Sequence, residues 1–292
     1  MRCSLRGSLD ERPAKDKNES VLMGTDKQLS KWAEYFEELL SRSARANTPD
    51  ITAAEEDLPI DCGKPTREEI RRAIKQLKNG KVAGTNEIPA DVLKVDPEML
   101  AEMLYGLFDK IWEEEEIPLE WKEGLLIKIP KKGDLGLCSN YRRITLLSVS
   151  GKVLNRIILE RLKGPVDRTL RDQQAGFRPG RPCIDQITRL RIIVEQSIEW
   201  NSPLYANFVD FQKAFDSLDR ESLWKLLRHY GVPIKFVNLI RNSYEGLSCR
   251  VVHEGRSTEK FDKKTGVRQG CLLSYFLFIL AIDWTTRGVT NR

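Results

Sequence analysis

The segment NFVDFQKAFDSLD, residues 207–219, places three carboxylates in a stretch that is otherwise rich in apolar side chains. Asp210 follows the apolar run 204–209, whose composition predicts a β-strand. A carboxylate held against a low-dielectric wall needs a cation, and a divalent metal ion is one such partner, whereas a solvated strand end needs none. Asp216 and Asp219 follow on a predicted turn and helix start, where Asp is favoured as a cap. The residues alone leave Asp210 open between a metal ligand and a solvated strand end, and they favour structural roles for the other two carboxylates.

A second group of polar residues lies in TGVRQGC, residues 265–271. Gly266 and Gly270 allow the backbone to approach a ligand closely, and Arg268 and Gln269 offer a charge and an amide between them. A turn from a strand into a helix, with exposed polar residues, would have the same composition. The segment alone leaves both interpretations open.

Basic residues supply a third group. Lys131 and Lys132 precede Arg142 and Arg143, and ammonium and guanidinium groups suit phosphate oxygens. The region 120–192 contains 16 Lys and Arg against 7 Asp and Glu, although the whole chain carries a net charge of only +5. A local excess of this kind indicates a surface that faces a polyanion such as nucleic acid, with a solvated basic face as the alternative.

Other kinds of chemistry have little support in the sequence. The six cysteines lie far apart, and neither of the two histidines has a nearby Cys, Ser or second His. Hydrolase and zinc-site interpretations are therefore poorly supported, and the cysteines are typical of reduced thiols. No stretch has the length of a signal peptide's apolar region or of a transmembrane helix. We expect a soluble, intracellular protein of the nucleus or cytoplasm, without a membrane partner.

The periodicity of the apolar residues predicts an α+β chain in which helices dominate. An amphipathic helix in KQLSKWAEYFEELLS is interpreted as a packing or docking helix, and a polar linker follows it. Thr66 and Glu69 form a capping-box pattern for a helix that stops at Gly80. The other predicted helices lie in the stretch around Leu104 to Trp112, in SVSGKVLNRIILERLKGP with its end at Gly164 and Pro165, and in IDQITRLRIIVEQSIEWN, RESLWKLLRHY, IKFVNLIRNSY and YFLFILAIDW.

Strands are fewer. A short strand is predicted over 125–129, and a hairpin is predicted where 249–252 and 258–261 flank HEGR. Asp219 is predicted to cap the helix RESLWKLLRHY. Asp283 is predicted to lie on the surface of the last apolar helix and not to replace a metal ligand.

The order of these groups resembles that in the reverse transcriptases of non-LTR (LINE-type) retrotransposons. The resemblance runs from about residue 66 to the C-terminus, and five collinear blocks carry it: PKKGD, NYRRITLLSVSGKVLNRIILERL, QAGFRPGRPCIDQI, NFVDFQKAFDSLDRESLWKLL and GVRQGCLLSYFLF. The upstream segment KVAGTNEIPADVLK is similar to an early block of the family, with departures at Ala83, Thr85 and Asn86. Tyr275 stands where the family pattern has Pro.

The resemblance implies site roles for individual residues. Asp210 matches the first metal-binding aspartate of the family, so it is the predicted catalytic residue and metal ligand, and Mg²⁺ or Mn²⁺ is the expected cofactor. Phe215 matches the aromatic residue below the sugar that excludes ribonucleotides. Arg142 matches the arginine that meets the nucleotide triphosphate. The predicted nucleotide-binding set also contains Lys131, Lys132, Gln269 and Gly270, and the predicted nucleic-acid contacts are Arg178 and Arg181.

The resemblance also implies a right-hand polymerase fold. An N-terminal extension with the amphipathic helix and the linker would occupy 1–65, a fingers-like region 66–203 and a partial palm 204–292. The family's second palm motif, an aromatic-Ala-Asp-Asp turn, should supply further metal carboxylates, and the printed sequence contains no Asp-Asp pair. We therefore expect a fragment, truncated before that motif and the thumb, that is a very poor polymerase on its own.

Three hypotheses about function remain. The first is a fragment of an RNA-directed DNA polymerase that uses an RNA template, a DNA primer and deoxynucleotides, with no sign of an obligate protein partner. The second is a non-enzymatic nucleic-acid-binding remnant that uses the basic fingers region. The third is a purely structural helical protein, which the order of the blocks disfavours.

Overall fold

The computed structural model describes residues 13–15, 20–41 and 48–290, with side chains described as far as residue 288. Helices dominate these ranges and a sheet accompanies them, so the helix-rich mixture of helices and strands is confirmed. The helices are α1 (Thr25–Leu40), α2 (Arg67–Lys75), α3 (Ala90–Leu93), α4 (Pro97–Glu114), α5 (Val149–Asp167), α6 (Cys183–Glu199), α7 (Ala214–Ser217), α8 (Arg220–His229), α9 (Ile234–Tyr244) and α10 (Leu272–Thr290). The strands are β1 (Glu123–Pro130), β2 (Tyr141–Leu146), β3 (Ser248–His253), β4 (Arg256–Ser257) and β5 (Phe261–Asp262).

The described strands form a mixed sheet in the order β2-β1-β3-β4, and β5 also pairs with β3. Strand β1 runs antiparallel to β2, with Ile129 opposite Arg142, and parallel to β3. The predicted strand at 125–129 is confirmed within β1. A hairpin is present where it was predicted, because Glu254 and Gly255 turn the chain between β3 and β4 with φ of 49° and 76°. Its second strand is β4, at 256–257, and not the predicted 258–261.

Helix α1 packs on this sheet. Its Trp32 and Phe36 belong to one buried cluster with Leu126 of β1 and Val251 of β3. Trp32 also meets the ring of Tyr141 edge-on, with 4.8 Å between ring centroids. The interpretation of the amphipathic segment as a packing helix is therefore confirmed. The first part of the predicted linker, 42–47, lies outside the described residues.

A larger buried cluster joins α2, α4, α5, α8, α9 and α10. Its members come from both 66–203 and 204–292, so the predicted fingers and palm regions share a core. Helix α2 begins with the predicted capping box, in which the Thr66 backbone N–H donates to the Glu69 carboxylate at 2.8 Å and the Glu69 N–H donates to Thr66 Oγ1 at 3.2 Å. The division into fingers and palm stays a prediction.

Two helix ends differ from the prediction. Helix α2 ends at Lys75 and not at Gly80, whose N–H instead donates to the Asp91 carboxylate of α3 at 3.0 Å. Helix α5 was expected to close at Gly164 and Pro165, but it continues to its last residue, Asp167.

The extra turn of α5 has a structural cause. Pro165 cannot donate a backbone hydrogen bond, which disfavours a proline inside a helix. Val166 is nevertheless fully buried in the helical core, and the Asp167 carboxylate accepts from Arg178 Nε at 2.7 Å. The burial of Val166 and the hydrogen bond to Asp167 stabilise the last turn of α5 in spite of the proline.

The predicted strand at 204–209 does not form in the described structure. Residues 202–211 adopt neither helix nor strand, and none of the described strands pairs with them. The backbone N–H and C=O groups of a strand without a neighbouring strand can bond only to water. No ladder of hydrogen bonds then stabilises the extended conformation. Helix α6 is present as predicted, but it contains no buried residue. Its predicted apolar face is exposed at Ile184, Ile187, Leu190, Val194 and Ile198.

The prediction that Asp283 lies on the helix surface is wrong. Asp283 of α10 is completely buried. Its carboxylate accepts from the Tyr230 hydroxyl at 2.7 Å, from Arg287 Nε at 2.8 Å and from Arg171 Nε at 3.2 Å. The Asp283 carboxylate therefore bonds to protein donors instead of water, and it connects α10 to the end of α8 and to the chain after α5. In the described part of the chain every helix, α10 included, is too short or too polar to cross a membrane.

Candidate active site

A cavity of about 830 Å³ lies where the end of β1, strand β2, the chain at 210–216 and the loop 265–271 meet. Helix α1 supplies part of the wall. The cavity is large enough for a small-molecule ligand, for which roughly 300–1,000 Å³ is usual. Of the nine residues predicted for the site, six line this cavity: Lys131, Arg142, Asp210, Phe215, Gln269 and Gly270.

Close backbone packing fixes the loop 265–271. The Thr145 N–H of β2 donates to the Gln269 carbonyl at 2.7 Å, and the Val267 N–H donates to the Phe215 carbonyl at 2.8 Å. A Cβ atom on Gly270 would lie 2.7 Å from the Thr145 carbonyl oxygen, and one on Gly266 would lie 2.6 Å from the Phe215 carbonyl oxygen. Both glycines also have positive φ. The sequence predicted a close approach here, but it is made to the protein's own backbone.

A buried ion pair joins β2 to the chain after Asp210. Arg143 Nη1 donates to one oxygen of Asp216 at 2.8 Å, and Arg143 Nη2 donates to the other oxygen. Both side chains are almost fully buried. Gln269 Nε2 donates to the same carboxylate at 3.3 Å. Asp216 therefore has the predicted structural role, but as the partner of an arginine 73 residues earlier and not as a helix cap.

Asp219 is the cap. Its carboxylate accepts from the backbone N–H of Ser222 at 2.8 Å at the start of α8, as predicted.

Further cations lie behind the ion pair. Lys263 is buried and donates to the Val267 carbonyl at 2.6 Å. Burial lowers the pKa of the Lys263 ammonium to about 7, and the nearby Arg143 and Arg220 guanidinium groups act in the same direction. Burial also lowers the pKa of the Arg220 guanidinium to about 10. A pKa of about 7 leaves Lys263 partly charged at neutral pH, whereas Arg220 keeps its charge there and backs the loop side of the cavity, which suits an anionic ligand.

Arg268 does not offer its charge to a ligand as the sequence suggested. Its side chain is buried, donates to Ser243 Oγ at 3.0 Å and lies 4.5 Å from the centroid of the Tyr244 ring. Arg268 therefore anchors the loop from below, and Gln269 is the polar side chain of this loop that reaches the cavity.

Asp210 and Phe215 line the same cavity, and the Phe215 carbonyl lies against the loop 265–271. Asp210 is exposed and belongs to the irregular segment that precedes α7. Phe215 is half-buried and stacks on Phe278 of α10 with 4.6 Å between ring centroids. Asp210 is therefore accessible to solvent, whereas Phe215 is held in place by packing.

Three predicted residues lie outside the cavity lining: Lys132, Arg178 and Arg181. Arg178 is buried, and its guanidinium donates to Asp167 and to the carbonyls of Arg171 and Gln174. A contact between Arg178 and a nucleic acid would require these bonds to break. Arg181 is half-buried and its Nη2 lies 2.7 Å from the Asp172 carboxylate.

Residues 129–292 match the model of a protein family described as reverse transcriptase (RNA-dependent DNA polymerase). The match covers more than half of the chain and contains the whole loop, the ion-paired Asp216 and α10. The chain belongs to this family. Its relatives indicate the branch of non-LTR (LINE-type) retrotransposon reverse transcriptases.

Several relatives are proteins of transposable elements. The chain is 36% identical over 164 residues to the "Retrovirus-related Pol polyprotein from type-2 retrotransposable element R2DM" of Drosophila melanogaster, which covers 56% of the chain and 15% of the relative. It is 28% identical over 218 residues to the "Transposon TX1 uncharacterized 149 kDa protein" of Xenopus laevis, 75% of the chain and 17% of the relative. It is 29% identical over 225 residues to the "RNA-directed DNA polymerase from mobile element jockey" of Drosophila funebris, 76% of the chain and 24% of the relative. The chain thus spans about a fifth of the length of these relatives.

Reverse transcriptases generally use divalent metal ions. The described residues of this reverse transcriptase domain contain no group of three or more His, Cys, Asp or Glu side chains arranged to hold one. The two acidic residues of the cavity lining are Asp210 and Asp216, and both oxygens of Asp216 accept from Arg143. The described residues therefore fit one arm of a metal site, at Asp210, and not a complete site.

The structure adds residues that sequence reasoning missed. Tyr35, Phe36 and Leu39 of α1 line the cavity of this reverse transcriptase domain, although α1 lies outside the matched region. Lys213 lines it as well, with an unusual positive φ of 50°. Lys213 lies three residues after Asp210 in the segment 207–219, so its position in the sequence could have indicated a place in the same site. No local pattern marks the helix α1 residues, because their role depends on packing with strands about 90 residues later.

Proposed function

We propose that this chain forms part of the nucleotide site of an RNA-directed DNA polymerase. The observation that carries the proposal is the meeting of Asp210, Arg142 and Gln269 in one cavity, from three separate blocks of the chain. Family membership supports the same reaction, because reverse transcriptases copy RNA into DNA. Strands β1 and β2 would belong to the fingers region, and the segment from 204 onward, which includes β3, β4 and β5, would belong to the palm.

Different residues of the cavity would bind different parts of the nucleotide. Arg142 and Lys131 would bind the triphosphate, since both are basic and line the same wall. Phe215 would lie below the sugar and exclude a 2′-hydroxyl by contact. Gln269 and Gly270 would contact the nucleotide from the loop, with the positive charge behind them favouring its phosphates.

Asp210 would supply one carboxylate to a divalent ion, Mg²⁺ or Mn²⁺, together with phosphate oxygens of the nucleotide. Such an ion stabilises the charge that develops during phosphoryl transfer. The described residues provide only this arm, so no step of the reaction is assigned to them beyond holding the nucleotide. An RNA template and a DNA primer would be the macromolecular partners.

A non-enzymatic role in nucleic-acid binding is the second candidate. The same region that lines the cavity is rich in Lys and Arg, and the cavity offers a single carboxylate outside the ion pair. A surface of this composition binds nucleic acid through phosphates without chemistry.

Primer extension separates the two candidates. The experiment uses an RNA template with an annealed DNA primer, deoxynucleotides and Mg²⁺, and compares the wild-type chain with Asp210→Asn and with Glu199→Gln, an exposed carboxylate outside the cavity lining. We expect slow extension that Asp210→Asn reduces by about 10²–10³-fold and that Glu199→Gln leaves unchanged. Extension that survives Asp210→Asn would overturn the role of Asp210. Binding of the primer–template without any extension by the wild-type chain would favour the second candidate.

A further inference from the structure

Four aromatic rings form a continuous cluster on the rim of the cavity. Tyr275 lies 5.0 Å from Phe177 and 5.6 Å from Phe215, measured between ring centroids. Phe278 stacks beneath Phe215 at 4.6 Å. The cluster therefore extends from Phe215 in the proposed nucleotide site outward to Phe177, with Tyr275 between them.

The two outer rings are exposed to solvent. Phe177 is 58% exposed and Tyr275 is 45% exposed. Phe177 also has a φ of 60°, a left-handed backbone conformation that is rare for a bulky side chain and is found where surrounding structure enforces it. The chain thus presents the Phe177 ring to solvent at a cost in backbone energy.

A second cavity of about 260 Å³ continues from this rim. It runs between α5, the segment 177–179 and α10, and Tyr275 lines both this cavity and the larger one. Its wall is mostly apolar, with Leu159, Leu170, Phe177, Leu272, Tyr275 and Phe276 among the lining residues. The space therefore accepts a flat apolar group whose polar edge can remain in the larger cavity.

The polar side chains of the second cavity are already paired. Arg178 is bound to Asp167, and Lys163 lies 2.5 Å from the Glu160 carboxylate. The wall consequently has aromatic faces for stacking, and its described polar groups are engaged with protein partners rather than placed to read the edge of a particular base.

We propose that Phe177 and Tyr275 form a stacking site for an unpaired nucleobase of the template strand. The proposal rests on the proposed function, which places the incoming nucleotide in the adjoining cavity and has an RNA template and a DNA primer as partners. Stacking on aromatic rings is how nucleic-acid-binding proteins hold unpaired bases without sequence preference, while nearby cations bind the phosphates. Lys213 supplies such a cation in the larger cavity, besides the two residues proposed for the triphosphate. The ring at Tyr275 is a departure of this chain from the family pattern, which has Pro at that position, so the stacking site would not be a general feature of the family.

The test measures the affinity of the full chain for a primer–template by fluorescence anisotropy. The RNA template carries a four-nucleotide overhang, and a set of templates replaces one overhang nucleotide at a time by an abasic residue. The proteins are the wild type, Tyr275→Ala, Phe177→Ala and the conservative control Tyr275→Phe. Far-UV circular dichroism and the thermal midpoint of each variant exclude misfolding.

We expect one abasic position to weaken wild-type binding by about tenfold, in line with the usual effect of losing one stacked base. Tyr275→Ala should weaken binding of the intact template to the same extent and should be insensitive to that abasic position, while Tyr275→Phe should behave like the wild type. Equal wild-type affinity for the intact and all abasic templates would overturn the stacking site and leave the proposed function in place. The proposal would also be overturned if the abasic position weakened binding of Tyr275→Ala by as large a factor as it weakens binding of the wild type. No binding of any primer–template would overturn both proposals.

Discussion

Arg143 of β2 and Asp216 of α7 bind each other through two hydrogen bonds in a place from which water is almost fully excluded. The pair links the sheet directly to the segment that carries Asp210 and Phe215. Its carboxylate also accepts from Gln269, so three blocks of the sequence meet at one buried charge pair.

Breaking this pair from one side should be costly. Asp216→Asn leaves the Arg143 charge buried without its counter-ion, and we expect a loss of about 3–5 kcal/mol in the free energy of unfolding, measured by urea titration. Arg143→Met with Asp216→Leu should recover most of that loss, since an apolar pair needs no counter-ion. Arg191→Ala, which removes the exposed pair with Glu195, serves as the control with an expected effect below about 1 kcal/mol. An Asp216→Asn effect as small as the control would contradict the assignment.

Lys263 should give the stability a pH dependence. Its pKa is about 7 in the folded chain against an ordinary value of 10.5, so between these two pH values the unfolded chain binds more protons than the folded chain. The free energy of unfolding therefore rises with pH across this window, by about 1 kcal/mol per pH unit near pH 8.5 from this group. Lys263→Met should remove that contribution, and Lys264→Met, an exposed neighbour, should not. Urea titrations at pH 7.5, 8.5 and 9.5 give the comparison, and parallel curves for wild type and Lys263→Met would contradict it.

The capping box, the Asp219 cap, strand β1 and the turn between β3 and β4 could be predicted because each depends on residues a few positions apart. Strand β2 was not predicted. The cavity could be predicted only in part. The family pattern identified Asp210, Arg142 and Gln269, but the Arg143–Asp216 pair joins residues 73 positions apart and leaves no local periodicity. The strand at 204–209 was predicted from its β-branched and aromatic composition, yet a strand also needs a neighbour, and the described sheet supplies none.

The loop glycines should tolerate substitution much less than a glycine in open space. Gly266→Ala would place a Cβ within 2.6 Å of backbone atoms at a positive φ, so we expect a loss of about 1–3 kcal/mol in the free energy of unfolding and displacement of Gln269. A Cβ added at Gly106 in α4 would meet nothing within 4 Å, and Gly106→Ala should stabilise by about 0.5–1 kcal/mol. Thermal unfolding of the two variants provides the measurement. Equal shifts of the midpoint in the same direction would show that the loop is not tightly packed.

The salt dependence of ligand binding should distinguish the basic residues that line the cavity from those that are buried in the protein. Arg142→Gln should lower the slope of log K against log salt for the binding of a deoxynucleoside triphosphate, because one phosphate contact is lost. Arg178→Gln should instead reduce the thermal stability, since it removes the hydrogen bonds to Asp167 and to two carbonyls. Filter binding from about 50 to 200 mM salt provides the slopes. An unchanged slope in Arg142→Gln would exclude Arg142 from contact with phosphate.

Helix α6 contributes none of its 17 residues to a buried cluster, whereas α5, of similar length, buries eight. A helix of this size is only marginally stable in water when tertiary packing does not support it. The backbone amides of α6 should therefore exchange hydrogen through local opening, while those of α5 exchange only when the helical core opens. The chain accordingly has two levels of stability, and the segment that leads to Asp210 starts at the end of the less stable helix.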